Sequence, residues 1–178
     1  MNEVQQKNYW LVKFKILQEA YYTFWYEDDI DGFLLDQNGL LKSYPTKEEA
    51  ICFAKEEGVC LNTKAVLCIS SGILRNIKKR KIRCNLFLNH WNTLSDVAHS
   101  IHCRFIGDDR ENETVQHIYE KLFYGCNILV KKGEGHYRPV WSKKERRWIA
   151  KVMKDGFRIL AKGLNLNCNF ARGESRFS

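Results

Sequence analysis

The chain has 178 residues, 44% of them hydrophobic and 13% aromatic, which is enough for a packed core and excludes wholesale disorder. It contains two prolines and 11 glycines, which excludes collagen-like and proline-rich repeats. The formal net charge of +8 is uneven: residues 1–75 carry 8 basic and 11 acidic residues, whereas residues 76–178 carry 21 and 10. Such a split predicts two faces with different partners, or two subdomains.

The sequence shows no pattern typical of a membrane span or a signal peptide. No apolar run approaches the roughly 18 residues that a membrane span needs. Residues 1–8 lack the basic start and apolar middle of a signal peptide. The seven cysteines are odd in number and include no Cys-x-x-Cys pair, which is typical of a reducing compartment. We therefore expect a cytoplasmic protein, with most cysteines buried as small apolar side chains.

The first half of the chain predicts strands. Residues 9–17 alternate large apolar and other side chains, as in a half-buried strand. A second aromatic run over residues 21–26 predicts another strand, and an acidic loop follows it at residues 27–32. Asn38-Gly39 is a strong hairpin signal because both residue types tolerate positive φ, so residues 33–36 and 40–44 are predicted to pair.

One helix interrupts these strands. Thr46 and Glu49 have the spacing of a capping box, which predicts a helix to about Glu57, and Gly58 suits its left-handed end. Residues 65–70 form a short apolar run with β-branched side chains, which predicts a further strand. The basic stretch of residues 78–83 then separates the two halves.

The second half predicts helices over residues 86–101, 110–124 and 143–162, because apolar side chains recur at helical spacing. Ser142 and Glu145 form a second capping box. Gly156 inside the last helix predicts a close helix contact. The inward-facing positions predicted for these helices are Phe87, Trp91, Leu94, Ala98, Ile101, Val115, Ile118, Leu122, Phe123, Ile149, Val152, Met153, Phe157 and Leu160.

These elements predict an α+β fold. A β-rich N-terminal lobe with one helix, residues 1–83, would pack on a C-terminal lobe of three or four helices, residues 84–178. The two lobes can equally form one continuous domain.

Catalytic motifs are missing from the sequence. It has no Gly-x-Gly-x-x-Gly, no phosphate-binding loop and no Gly-x-Ser-x-Gly elbow. His99, His102 and Cys103 cluster at a helix end, but zinc needs further ligands at a recognisable spacing. A histidine pair can serve a nuclease as acid and base, yet nothing around this pair resembles a nuclease motif. We predict no catalytic residue, no metal site and no cofactor.

Two charged segments are candidate contact surfaces. The acidic loop contains Glu27, Asp28, Asp29 and Asp31, and it lacks the twelve-residue pattern of an EF-hand. The last predicted helix carries Lys143, Lys144, Arg147 and Lys151. The basic residues can neutralise phosphates, dock on an acidic protein or simply form a solvated helix face.

Three segments of the second half carry a resemblance to a known family. They are residues 87–101 (FLNHWNTLSDVAHSI), 118–127 (IYEKLFYGCN) and 133–142 (GEGHYRPVWS), followed by the capped helix. Over roughly residues 85–164 the chain resembles the immunity proteins of contact-dependent growth inhibition systems. The matched aromatic residues, among them Trp91, Tyr119, Phe123 and Trp141, are predicted to lie in the core.

The resemblance implies a bacterial cytoplasmic protein that binds the C-terminal toxin domain of a large secreted effector and blocks it. Such toxins are often nucleases that cut transfer RNA. In one contact hypothesis Glu27, Asp28, Asp29 and Asp31 stand in for RNA phosphates in the toxin. In the other, which the net charge favours, Lys143, Lys144, Arg147 and Lys151 dock on an acidic toxin face. The alternative function is a regulatory protein that binds nucleic acid directly.

Overall fold

Strands occupy the first part of the chain and helices the second. The computed structural model describes residues 7–131 and 135–166. The predicted α+β class is confirmed. In chain order the elements are β1 (Tyr9–Ile16), β2 (Glu19–Tyr26), β3 (Gly32–Phe33), β4 (Ser43–Tyr44), α1 (Lys47–Glu56), β5 (Leu61–Ser70), α2 (Ile73–Lys78), α3 (Cys84–Ser100), a 3₁₀ turn (Ile106–Asp108), α4 (Glu113–Gly125) and α5 (Lys143–Gly163).

The sheet has the strand order β3-β2-β1-β5, and β4 also pairs with β2. The hairpin of β1 and β2 is antiparallel, whereas β5 joins β1 in parallel after the chain has passed through α1. The register pairs Trp10 with Trp25 and Leu11 with Phe24. Because successive side chains point to opposite faces, these two pairs lie on opposite sides of the sheet.

Helices cover both faces of the sheet. On one face Leu11 and Phe24 pack with Ala50 and Ala54 of α1 in a small cluster. On the other face Phe14 belongs to a larger core that also includes α3, α4 and α5. This larger core draws its buried side chains from both sides of the predicted boundary at residue 83.

Hydrogen bonds from the sheet fix the position of α3. Trp25 Nε1 donates to Asp96 Oδ2 at 3.0 Å, and the main-chain N–H of Phe33 donates to Ser100 Oγ at 2.9 Å. At the opposite edge, the N–H of Ser70 donates to His90 Nε2 at 2.9 Å. His90 is buried, so these bonds hold α3 in one register across the strands.

Helix ends follow the predicted capping chemistry. Ser142 and Glu145 form a complete capping box at α5. Thr46 accepts from the N–H of Glu49 at 3.2 Å, but its hydroxyl also donates to the Glu49 carboxylate, so the reciprocal half of that box is missing. Gly58 has φ +66° after α1, as predicted.

Two predicted turns differ in detail. The first strand ends at Ile16, because Leu17 adopts φ +57° in the turn to β2. In the Asn38-Gly39 turn only Gly39 has positive φ, +74°. The Asp36 carboxylate accepts from the N–H groups of Asn38 and Leu40, at 2.8 and 3.0 Å, and this makes a wider turn than a two-residue hairpin.

Helix α2 and the exposure of Phe123 were not predicted. The segment Ile73–Lys78 buries Ile73 and Ile77, so a second short helix lies within residues 1–83. The prediction that Phe123 faces inward is wrong, because 36% of its surface is exposed. Gly156 does mark a close approach: a Cβ there would lie 2.7 Å from Leu94 Cδ1.

Candidate functional site

A cleft of about 830 Å³ lies between the sheet and the helical layer. The strands contribute Trp10 and Trp25, whose ring centroids are 5.3 Å apart. Two further aromatic side chains, Trp91 and Tyr119, line it from α3 and α4, with ring centroids 5.7 Å apart. A concave site of this volume, with apolar walls and a few polar groups, has the properties of a ligand site.

One face of α3 supplies most of the polar groups in the cleft. Asn89, Asn92, Asp96 and His99 are spaced by three or four residues, which places them on the same side of the helix. The amide of Asn92 accepts a hydrogen bond from Tyr119 Oη at 3.0 Å. This hydrogen bond ties the polar wall on α3 to α4.

The 3₁₀ turn closes the cleft opposite the strands. Ser95 donates to Asp108 Oδ1 at 2.8 Å, and His99 Nε2 lies 3.2 Å from Asp108 Oδ2. Gly107 is required here because a Cβ would lie 2.4 Å from the Phe105 ring. Asp108 is thus held by α3 through two side chains.

Asp96 is the most perturbed carboxyl of the cleft. Burial raises its pKa to about 6, and the nearby carboxylates of Asp31 and Asp108 act in the same direction. The hydrogen bond from Trp25 and the proximity of His99 oppose the shift without cancelling it. The folded chain therefore holds a carboxylate whose negative charge is incompletely compensated.

Sequence reasoning missed this cleft. No residue of its aromatic wall, and neither Asp96 nor Asp108, was predicted as a site residue; His99 was considered only for metal or nuclease chemistry. A second periodicity of polar residues at 89, 92, 96 and 99, beside the apolar stripe of α3, is the signal present in the sequence. This polar periodicity does not indicate which part of the chain packs beside these residues of α3.

The structure connects the acidic loop to the same cleft. Asp31 lines it, whereas Glu27, Asp28 and Asp29 are exposed. Asp28 forms an ion pair with Lys7 at 2.5 Å, and this pair and its hydrogen bonds lower the pKa of Asp28. Part of the loop is thus already committed to contacts within the chain.

The predicted basic residues lie together on α5. Lys143, Lys144, Arg147 and Lys151 are all exposed, and Arg158 continues the row at helical spacing. Lys151 Nζ lies 4.4 Å from the Trp148 ring centroid. We call Lys143, Lys144, Arg147, Lys151 and Arg158 the basic stripe.

A large exposed apolar surface lies between the end of α4 and the start of α5. It consists of Phe123, Tyr124, Ile128, Leu129, Tyr137 and Val140, whose exposed fractions range from 36% to 85%. We call these six residues the apolar patch. A groove of about 440 Å³ runs among the first five of them. Contiguous exposed apolar surface of this kind marks contact sites on proteins.

Asn127 holds the two sides of the apolar patch together. Its Oδ1 accepts from the N–H of Tyr137 at 2.7 Å, and its Nδ2 donates to the carbonyls of Gly125 and Tyr137 at 3.0 Å. Gly125 permits the crossing, because a Cβ there would lie 2.4 Å from Cys84 Sγ and 2.9 Å from Pro139. The segment around Tyr137 is therefore fixed against α4.

Histidines and cysteines form no metal site in the part of the chain that the structure describes. His99 lies in the cleft, whereas His102 follows the helix with φ +52°. The expectation that most cysteines are buried is wrong: Cys84 is buried, but Cys52 on α1, Cys60 just before β5 and Cys68 on the edge strand β5 are exposed. Cys168 lies outside the described residues.

Residues 7–131 and 135–166 thus form a mixed α+β fold that carries the cleft, the apolar patch and the basic stripe. Comparisons of the chain with protein-family models, with curated proteins and with solved structures found no match. Across residues 7–131 and 135–166, none of the helices is long and apolar enough to cross a membrane. Function is therefore argued from the surfaces themselves.

Proposed function

We propose that this chain is an immunity protein that neutralises a toxin domain in the cytoplasm by binding it and blocking its active site or substrate path. The observation that carries the proposal is the apolar patch. Four of its six residues, Phe123, Tyr124, Tyr137 and Val140, fall in the segments 118–127 and 133–142, which also carry the resemblance to immunity proteins of contact-dependent growth inhibition.

Energetics favour a protein partner for the apolar patch. Leu129 is 71% exposed and Ile128 is 68% exposed, so both leave apolar area in water that a partner would remove. Aromatic anchors such as Tyr124 and Tyr137 are typical of the few residues that contribute most of a binding energy. A stable complex buries roughly 1,200–2,000 Å² in total, so the apolar patch would be its centre and not its whole extent.

The charge beside the apolar patch indicates the kind of partner. Arg138 is exposed inside the patch segment, and Lys143 and Lys144 open α5 directly after it. Apolar centre and basic rim together suit a partner whose apolar surface is bordered by carboxylates. Of the two contact hypotheses, this arrangement supports docking through the basic stripe.

The first test is whether a large effector is encoded beside this chain, and the second is a binding measurement with the C-terminal domain of that effector. Leu129→Ser is the informative variant, and Leu17→Ser is its matched control, because Leu17 is 72% exposed in the turn between β1 and β2. We expect Leu129→Ser to weaken binding by at least about fivefold, since a buried apolar anchor contributes more than about 1 kcal/mol. Leu17→Ser should bind like the parent protein.

A charge-reversal pair separates the two contact hypotheses. Arg147→Glu should weaken binding if the basic stripe docks, whereas Asp29→Lys should weaken it if the acidic loop enters the toxin. Parent-like affinity of Leu129→Ser, Arg147→Glu and Asp29→Lys for the toxin domain would contradict a contact at the apolar patch, the basic stripe and the acidic loop. Failure of the chain to protect cells that express the adjacent toxin domain would reject the immunity function.

The basic stripe also supports one alternative, direct binding of nucleic acid. Its cations follow one side of α5, where they can neutralise successive phosphates. Filter binding of bulk RNA at physiological salt distinguishes the two functions. RNA retention that falls steeply with salt, and that Arg147→Glu reduces, would favour the nucleic-acid function. If no RNA is retained, the basic stripe is left as a surface for a protein partner.

A further inference from the structure

The cleft between the sheet and α3 is chemically different from the apolar patch. Its aromatic wall combines Trp10, Trp25, Trp91 and Tyr119 around a space of about 830 Å³. Such a volume accommodates a small molecule or an inserted side chain with its neighbours, since ligand sites measure roughly 300–1,000 Å³. Aromatic faces attract cations through their electron-rich surfaces.

The lining of the cleft has an excess of negative charge. Asp31, Asp96 and Asp108 approach from the loop after β2, from α3 and from the 3₁₀ turn. Arg110 is the guanidinium of the lining, and His99 is the titratable nitrogen base beside Asp108. Three carboxylates therefore line the cleft against one permanent cation.

Asp96 shows what the cleft lacks. The Asp96 carboxylate accepts a hydrogen bond from Trp25 Nε1, an uncharged donor, at 3.0 Å. The other charged neighbours named above are mostly carboxylates, so folding has left Asp96 with repulsion that a bound cation would relieve. A second acidic group or an anion in the same space would increase that repulsion.

We propose that this cleft is a binding site for an organic cation, a guanidinium or alkylammonium group, seated between the indole wall and the carboxylates of Asp96 and Asp108. The proposal goes beyond the immunity function and does not depend on the apolar patch. The cation can belong to a free small molecule or to an Arg or Lys side chain of a bound protein.

Cation binding should strengthen as pH rises. Asp96 must lose its proton to attract the ligand, and the groups that face it are Trp25 on β2, Asp31 on the following loop, His99 on its own helix and Asp108 on the 3₁₀ turn. Affinity should therefore increase between mildly acidic and neutral pH.

The experiment titrates the full chain with Nα-acetylarginine amide and, as a neutral probe of the same shape, Nα-acetylcitrulline amide. Tryptophan fluorescence reports binding because three indoles line the cleft. We expect saturable 1:1 binding in which the arginine compound is at least roughly tenfold stronger, as one charge-assisted contact with aromatic stacking provides. Spermidine serves as the alkylammonium probe.

Two variants connect the signal to the cleft. Asp96→Asn removes the charge and retains an acceptor for Trp25, so affinity for the arginine probe should fall at least roughly fivefold. Glu48→Gln removes a charge from exposed α1, which packs on the other face of the sheet, and should change nothing. Equal affinities for the arginine and citrulline probes, an unaffected Asp96→Asn variant, or no binding by any cationic probe would overturn the proposal.

A competition arm identifies the source of the cation. If a bound toxin domain displaces the arginine probe in proportion to complex formed, a side chain of the partner occupies the cleft. If the probe binds the complex and the free chain alike, the ligand is a free small molecule. Because the titration uses this chain alone, its failure leaves the immunity proposal standing, and a failed toxin assay leaves the cleft proposal standing.

Discussion

Replacing Asp96 by Asn should make the protein more stable at neutral pH. Its pKa in the folded chain is about 6, against an ordinary value of 3.8, and the first cause is burial. Each unit of pKa corresponds to about 1.4 kcal/mol, so keeping Asp96 ionised costs the folded state up to about 3 kcal/mol. Water in the open cleft screens part of this, and we expect Asp96→Asn to gain about 1–3 kcal/mol.

The pH dependence gives the sign of the effect. Because the folded pKa lies above the unfolded one, Asp96 binds its proton more tightly in the folded chain. This tighter proton binding stabilises the folded chain fully below the pKa of the unfolded chain, and the stabilisation is lost as pH rises through about 6. The advantage of Asp96→Asn should therefore be small near pH 4, grow up to pH about 6.5 and then stay constant.

The assay is urea unfolding of parent and variant over this pH range, with Glu48→Gln as control. Burial lowers the pKa of His90, so His90 also makes stability depend on pH, but this effect cancels in the difference between parent and variant. A gain of 1–3 kcal/mol corresponds to roughly 3–9 °C in Tm for a chain of this size. Lower stability of Asp96→Asn at neutral pH, or a difference that does not vary with pH, would refute the reasoning.

Three further substitutions test the packing and polar contacts of the helical layer, each by urea unfolding. Gly156→Ala should lower the free energy of unfolding by about 1–3 kcal/mol although alanine has the better helix propensity, because its Cβ would lie 2.7 Å from Leu94 Cδ1. An equal or higher stability would show that Leu94 moves aside easily. Glu145→Gln should lower the free energy of unfolding by about 1–2 kcal/mol at neutral pH. Burial raises the pKa of Glu145, but the hydrogen bonds from Lys121 on α4 and from Ser142 at the helix cap outweigh burial and lower the pKa to about 2. That cost should be present above pH 4.5 and disappear as pH falls towards 2; a loss independent of pH would contradict it. His90→Ala should lower the free energy of unfolding by about 2–4 kcal/mol, since it leaves the N–H of Ser70 in β5 without its acceptor and opens a cavity. His99 is exposed, so His99→Ala is the control and should lower it little. Equal losses in the two variants would argue against a structural role of His90.

Local patterns in the sequence determined the elements of this fold. Alternation over residues 9–17 predicted β1, and recurring apolar positions predicted α3, α4 and α5 with most of their buried faces. Capping chemistry at Ser142 located the start of α5. These predictions succeed because hydrophobic period and helix caps are properties of neighbouring residues, which the chain carries whatever lies around it. The charges of the acidic loop and of α5 were also visible in the sequence, whereas their role as contact surfaces stays a prediction.

Tertiary structure alone decided the cleft and the apolar patch. Trp10 and Asp96 are 86 positions apart in the sequence, and only the packing of α3 across the sheet brings both into the lining of one cleft. Phe123 has the spacing of a core residue, yet α4 turns it outwards beside Tyr124. Burial depends on what covers a side chain, and a single sequence gives the periodicity of a face without naming the surface that packs against it.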